Sequence, residues 1–264
     1  MRNTFDRFNG RHQDYQAARP SYAQEFLDWL GELYAPPERY TAADIGSGTG
    51  KLSAQLLAAG FRVCGVEPNP DMRGAAEALL GGDPRFSSSN GTDHDTGLPD
   101  RSVDMVAAAQ AFHWFDGPAF ARECRRILRP GGRAVLVWNV RGSAPMNQAL
   151  AQVFREHCPS FHGFTGGMGE DDPRIRDFFG GAYRSEERRV GNEKRRFPNP
   201  LTLDRDQFLR RCFSSSYALR EGDADYEAFR AALEALFDTF ASGGQLIQPN
   251  ETVAYVGIPA APRG

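Results

Sequence analysis

No stretch of this sequence approaches the roughly 18 apolar residues of a membrane span. Its opening, MRNTFDRFNGRHQDYQ, also lacks the apolar core of a secretory signal. Cysteine is scarce: Cys64, Cys124, Cys158 and Cys212 lie far apart, with none of the short pair spacings that zinc sites need. The five histidines, His12, His94, His113, His157 and His162, form no H-x-x-x-H pattern, so no metal motif is visible. A G-x-S-x-G elbow is missing, which leaves a hydrolase reading without a nucleophile. Positive charge is not in excess either. With 31 Lys+Arg against 34 Asp+Glu the net charge is -3, and no global field is available to hold a phosphate backbone. Fixed-period repeats and long low-complexity segments are absent too. The expectation is a cytoplasmic protein with reduced, mostly buried cysteines, a monomer or homodimer with neither membrane nor nucleic acid as partner.

What is present suits a folded core: 264 residues, 41% hydrophobic and 25% charged, enough for one globular unit. In SYAQEFLDWLGEL, Phe26, Trp29, Leu30 and Leu33 recur at helical spacing behind a Ser21 cap, and Pro36-Pro37 ends the helix. TAADIG (41–46), a glycine-rich turn and KLSAQLLAAG (51–60) then read as strand, turn, helix. VCGVE gives a second strand, followed by a helix DMRGAAEALL capped near Asp71. RSVDMVAAAQ (101–110) and RAVLVWNV (133–140) are further strands, separated by a helix that Asp116-Gly117-Pro118 opens. This alternation predicts an α/β fold: a Rossmann-like, doubly wound, mainly parallel sheet with helices on both faces. Beyond residue 141 helices are expected at 144–157, 204–213 and 224–240. TVAYVGIP (252–259) makes a last, antiparallel strand. The charged segment 184–196, with six basic and three acidic residues, reads as a surface hairpin or mobile loop without function.

The chemistry concentrates in Asp44-Ile-Gly-Ser-Gly-Thr-Gly50. Gly46, Gly48 and Gly50 let the chain turn sharply and bring its backbone against a ligand. In a doubly wound sheet the ligand crevice lies beyond the carboxyl ends of the strands, so this turn, Glu67 after the second strand and Gln110 after the fourth should converge. A carboxylate at Glu67 can accept hydrogen bonds from both hydroxyls of a ribose, which implies a nucleoside. Asp44, two residues before the first glycine, repels phosphate and suits a cation or ammonium group. That argues against a nicotinamide-dependent oxidoreductase, the alternative on the same sheet.

These features resemble the first motif of class I S-adenosylmethionine-dependent methyltransferases. The resemblance continues through Glu67 in VEPNPDMR, GTDHDTGLPDRSVDMV (91–106) and ILRPGGRAVLV (127–137), covering about residues 40–140. It implies S-adenosylmethionine as cofactor, with Glu67 at the ribose and Pro68 and Met72 beside it. The adenine loop departs from the usual GTAE or GDAE, so Thr92 and Asp93 are both candidates for the adenine amino group. DYQAARPSY (14–22) and AQAFHWFD (109–116) look most like the small-molecule branch that includes trans-aconitate methyltransferase-like proteins. There the equivalents of Tyr15 and Arg19 close over the methionine part of the cofactor. The implied activity is in-line methyl transfer to a small-molecule acceptor in a single domain, with a cofactor core at about 40–140, a helical lid and acceptor elements at 1–35 and about 141–215, and a C-terminal helix and strand at 223–259. His113 is the candidate catalytic base or acceptor ligand, or it pins the loop after the fourth strand. Trp114 and the phenylalanines around it serve as pocket or as core. A protein that keeps the pocket but has lost transfer is the other alternative.

Overall fold

The computed structural model describes residues 20–164, 172–181, 192–215 and 217–261. Tyr15 and Arg19 lie outside the described residues. The described residues open with α1 (Gln24–Leu33) and continue β1 (Thr41–Ile45), α2 (Lys51–Ala58), β2 (Arg62–Val66), α3 (Pro70–Leu80), β3 (Phe86–Ser89), β4 (Val103–Ala109), α4 (Gly117–Ile127) and β5 (Leu128–Val140). After these come α5 (Pro145–His157), α6 (Pro173–Phe178), β6 (Glu193–Pro198), β7 (Leu201–Leu203), α7 (Arg205–Phe213), α8 (Tyr226–Phe240), β8 (Leu246–Gln248) and β9 (Glu251–Gly257). Seven strands form one sheet in the order β3-β2-β1-β4-β5-β9-β6. β1 to β5 are parallel, whereas β9 runs antiparallel between β5 and β6. This is the expected doubly wound sheet, in which β1 and β4 lie side by side where the strand order reverses.

Alternation along the strands sends side chains to two separate cores. Ala43, Ile45, Val66, Val106 and Leu136 face α4 and α6 through Phe120, Ile127 and Phe178. Ala42, Val63, Met105, Val135 and Val256 face α1 and α2 through Phe26, Leu30 and Leu56. A third core lies off the sheet, where Leu150 and Phe154 of α5, Phe208 of α7, Phe229 and Leu233 of α8 and Leu246 of β8 pack together. α8 thus joins the helical region after β5, while β9, only a short way beyond it, returns to the sheet.

Several local expectations need correction. α3 is capped by Asn69, whose Oδ1 accepts from the backbone N–H of Asp71 and of Met72, both at 3.0 Å. Asp71 is displaced because Pro70 takes the first helical position, where its missing N–H costs nothing. α1 starts after Ala23 without a side-chain cap. The Ser21 carbonyl instead accepts from Asn139 Nδ2 at 3.1 Å and Asn199 Nδ2 at 2.8 Å. β5 begins at Leu128 rather than Arg133. Of the charged segment, Glu193–Pro198 is the edge strand β6, and 184–191 lies outside the described residues. A strand rich in Arg and Lys at a sheet edge fits the need to keep that edge from pairing with another chain. β3, β7, β8 and α6 carry too few apolar residues for a periodicity to register. All four cysteines are buried and unpaired. No helix of the described residues is long and apolar enough to cross a membrane.

Candidate functional site

β1 ends in a turn with three left-handed positions, φ of 67° at Gly46, 55° at Gly48 and 81° at Gly50, which glycine follows without strain. The backbone N–H groups of Gly46 and Ser47 both donate to the Val66 carbonyl, at 2.9 and 3.2 Å, which ties the turn to the end of β2. The three glycines do different things. A Cβ on Gly50 would sit 2.9 Å from Leu80 Cδ1, and one on Gly46 would sit 2.9 Å from Ala111 Cβ, so both serve packing. A Cβ on Gly48 would meet nothing nearer than Met72 Sδ at 3.9 Å. The bare backbone of Gly48 faces the open cleft, and Gly50 is turned away from it toward α3.

Two carboxylates flank this turn. Glu67, one residue past β2, accepts from the Gly48 N–H through Oε2 and from the Asn69 N–H through Oε1, each at 2.9 Å. It therefore fastens the turn to the start of α3 and is itself fixed. Burial pushes its carboxyl above the usual range, and the two N–H groups pull it back. Asp44 is buried in β1 and accepts from Ser53 Oγ at 2.7 Å through Oδ2. Its Oδ1 is buried with no hydrogen-bond partner among the described residues. Burial raises its pKa from 3.8 to about 6, against the pull of Ser53. An orphaned carboxylate oxygen costs free energy until a donor reaches it, so a cationic or N–H-bearing ligand is favoured here.

A cleft of about 350 Å³ opens beyond the carboxyl ends of the strands. Its walls bring together Asp44, Gly46, Gly48, Glu67, Pro68, Met72, Thr92, Asp93 and Gln110 of the residues singled out from the sequence. Asp93 is held at both oxygens, Oδ1 lying 3.1 Å from His94 Nδ1 and Oδ2 accepting from the Asp116 N–H at 3.2 Å. That anchors the loop before β4 to the cap of α4. Gln110 takes a left-handed conformation, φ 54°, and its Nε2 donates to the Asn139 carbonyl at 3.1 Å. Such a conformation costs a non-glycine residue roughly 1 kcal/mol or more and concentrates at functional sites. His113 sits in the single turn Phe112–Trp114 with its ring 4.9 Å from that of Trp114. His113 is not among the residues lining the cleft, whereas Trp114, half exposed, and Phe115 are.

Tyr22, which closes the DYQAARPSY segment, lines the cleft as well, and other lining residues are not singled out by the sequence: Asn139, Arg141, Phe164, Arg211, Ser214 and Tyr217. Asn139 and Arg141 lie at the end of β5, so the strand-end rule that picked out Glu67 and Gln110 reaches them as well. The others carry no such signal, because helix packing alone brings them to the cleft. Among the described residues, no group of three or more His, Cys, Asp or Glu could hold a metal ion.

Comparison with known proteins agrees with this geometry. Residues 43–136 match a family model for a methyltransferase domain. An uncharacterized methyltransferase of Mycobacterium tuberculosis is 42% identical over 127 residues, 48% of this chain and 49% of that one. An uncharacterized methyltransferase of Schizosaccharomyces pombe is 31% identical over 147 residues, 55% of this chain and 57% of that one. The chain thus spans about half the length of the curated relatives it matches. Among solved structures, a candidate type II methyltransferase from Anaeromyxobacter dehalogenans superposes with a TM-score of 0.55 at 25% identity, over 91% of this chain and 96% of that one.

Proposed function

We propose, from the methyltransferase domain that residues 43–136 match, that this chain is an S-adenosylmethionine-dependent methyltransferase acting on a small-molecule acceptor. The observation that carries the reading is the meeting of Asp44, Gly48 and Glu67 in one cleft. The residues fit the cofactor's groups. Each Glu67 oxygen accepts one backbone N–H and keeps a lone pair for a ribose hydroxyl. Asp44 Oδ1, buried and unpartnered, suits an ammonium group. Gly48 leaves the space that any side chain would take, Thr92 and Asp93 are the candidates for the adenine amino group, and Pro68 and Met72 lie beside the ribose acid. Tyr15 and Arg19 are assigned to the methionine part by resemblance.

When bound, S-adenosylmethionine supplies a methyl group already activated on a sulfonium sulfur. The chain then has to hold two molecules in line and exclude water, which calls for positioning more than for many reactive side chains. Trp114, Phe115, Phe164 and Tyr217 give the remaining wall an apolar, aromatic character. His113 is the sequence candidate for taking a proton from the acceptor or holding it; since it does not line the cleft, its other role, pinning the loop after the fourth strand, is the better supported. Residues 1–22 and the helical region after β5 act as a lid, whereas α1 belongs to the core on the sheet; the small-molecule branch similar to trans-aconitate methyltransferase-like proteins is the nearest model for the acceptor. The protein works as a cytoplasmic monomer or homodimer.

Isothermal titration should give saturable binding of S-adenosylmethionine and none of NAD. Labelled methyl from the donor should then appear in a product when a panel of metabolites is offered. Binding of NAD in preference, or binding without any transfer to the panel, contradicts the enzyme reading.

A further inference from the structure

Between β3 and β4 the chain forms neither helix nor strand, yet Thr96 within it is 0% exposed. The loop closes on itself at a neck. A Cβ on Gly91 would sit 2.5 Å from the Thr96 carbonyl oxygen, so the two backbones touch where a larger residue would clash. Past the neck, the Thr92 N–H donates to the Asp95 carbonyl at 2.8 Å and the Asp95 N–H donates to Thr92 Oγ1 at 3.2 Å. Thr92 and Asp93, on this tip, line the cleft.

One buried carboxylate holds the neck. Glu123 of α4 is 7% exposed. Its Oε1 accepts from the Thr96 N–H at 2.9 Å and from Thr96 Oγ1 at 2.6 Å. Arg126 balances the charge, its Nη2 donating to Oε1 at 2.7 Å and its Nε to Oε2 at 2.8 Å. The tip is fastened to the same helix, since the Asp116 N–H that donates to Asp93 belongs to the cap of α4. A carboxylate is costly to bury unless it is paired and hydrogen-bonded. Glu123 meets that condition, and its loss would leave the buried Thr96 N–H unmet.

Glu123, Thr96 and Arg126 do not line the cleft. They act on a ligand only through where they set Thr92 and Asp93. One base is told from another by a few hydrogen bonds at its edge, and such discrimination depends on donors and acceptors held in place beforehand. A carboxylate at the tip favours a base that offers an amino group there over one that offers a carbonyl.

We propose that Glu123 is a positioning residue for the nucleobase: by latching Thr96 it sets Thr92 and Asp93 where they tell adenine from hypoxanthine. This rests on the function proposed above, which brings an adenosine group to that end of the cleft.

The test titrates the full chain with S-adenosylhomocysteine and with S-inosylhomocysteine, which differ only in the base. Wild type should prefer the adenine compound by at least about a hundredfold. Glu123→Ala should cut that preference by at least about tenfold, and Thr96→Val, which loses only the hydroxyl bond and keeps the shape, by at least about threefold. Glu123→Gln keeps an acceptor for Thr96 and should hold the preference within about threefold of wild type. Hydrogen exchange without ligand should quicken for amides 91–97 in Glu123→Ala and stay unchanged in β1 and α2. A merely structural role would lower the melting temperature and weaken both compounds in step. The proposal is overturned by that result, by a preference within twofold of wild type in the Ala and Val variants, or by unchanged exchange in the loop. Should Glu123→Ala fail to fold, Thr96→Val decides. If wild type binds neither compound the cofactor reading falls and takes the base role with it, whereas binding of both without preference overturns the base role alone.

Discussion

Glu67 and Asp44 are both buried carboxylates, yet they answer to different tests. Glu67 is already satisfied by two backbone N–H groups, so its removal frees the turn as well as the ligand's hydroxyls. Glu67→Ala should weaken S-adenosylmethionine by about 1.5 to 3 kcal/mol for each charge-assisted bond lost; titration within twofold of wild type, with circular dichroism intact, would refute its role. Gly48→Val should abolish binding, because a β-branched residue is strained at φ 55° and its side chain fills the cleft. A crystal of that variant with cofactor in place would contradict it. Asp44 makes a prediction about pH. Its folded pKa is about 6, above 3.8, so between these values the folded chain keeps a proton that the unfolded chain has lost. Stability therefore falls as pH rises through that window. Binding of an ammonium group has the opposite trend, since it needs Asp44 ionised. The affinity of wild type for S-adenosylmethionine should rise with pH through about 6, and Asp44→Asn should flatten that profile in titrations from pH 5 to 8. For His113, a general-base role predicts that His113→Gln loses about 10² to 10⁴ in turnover with cofactor affinity unchanged; turnover within tenfold leaves the transfer to positioning alone.

At the scale of elements, the start of α3 matters most to the site. The Asn69 side chain caps the helix while its own N–H holds Glu67, so one residue serves both the helix and that carboxylate. Asn69→Ala keeps the N–H and loses the cap. It should cost about 1 kcal/mol in urea unfolding with only a small change in cofactor affinity. A large loss of affinity at unchanged stability would mean that the side chain itself meets the ligand. Much of this element was legible beforehand: VEPNP announces a strand end with prolines, and the helix follows. The capping residue was misread because Asp71 and Asn69 are both good caps, and only the position of Pro70 decides between them.

Across the whole molecule, the segment before α1 is fastened by atoms far away in sequence. Asn139 Nδ2 donates to the Pro20 carbonyl at 3.2 Å, the Ala23 N–H donates to Thr252 Oγ1 at 2.9 Å, and Thr252 Oγ1 donates to Asn139 Oδ1 at 2.7 Å. Pro20 and Tyr22 line the cleft, which motivates a truncation test of the residues before them. Deleting residues 1–18 should leave the melting temperature nearly unchanged yet reduce both S-adenosylmethionine affinity and turnover, as expected of a lid. Unchanged affinity after truncation would make the segment an ordinary tail.

The sequence by itself determined the parallel sheet, the glycine turn and the acidic half of the cleft, where Asp44, Glu67 and Asp93 meet. Those features are local: a strand, its turn and the next helix lie within about 30 residues, and the strand-end acid stands at a spacing that backbone geometry fixes. In the basic half the strand-end rule reaches only Arg141, and its meeting with Arg211 was decided by the tertiary structure. Arg141 and Arg211 come from a strand end and a helix, and no periodicity links them. They meet because the apolar faces of α5, α7 and α8 bury one another in a core of their own. Burial of apolar area is non-directional, so the sequence pattern announces that those helices pack and leaves open which polar residues their packing brings face to face.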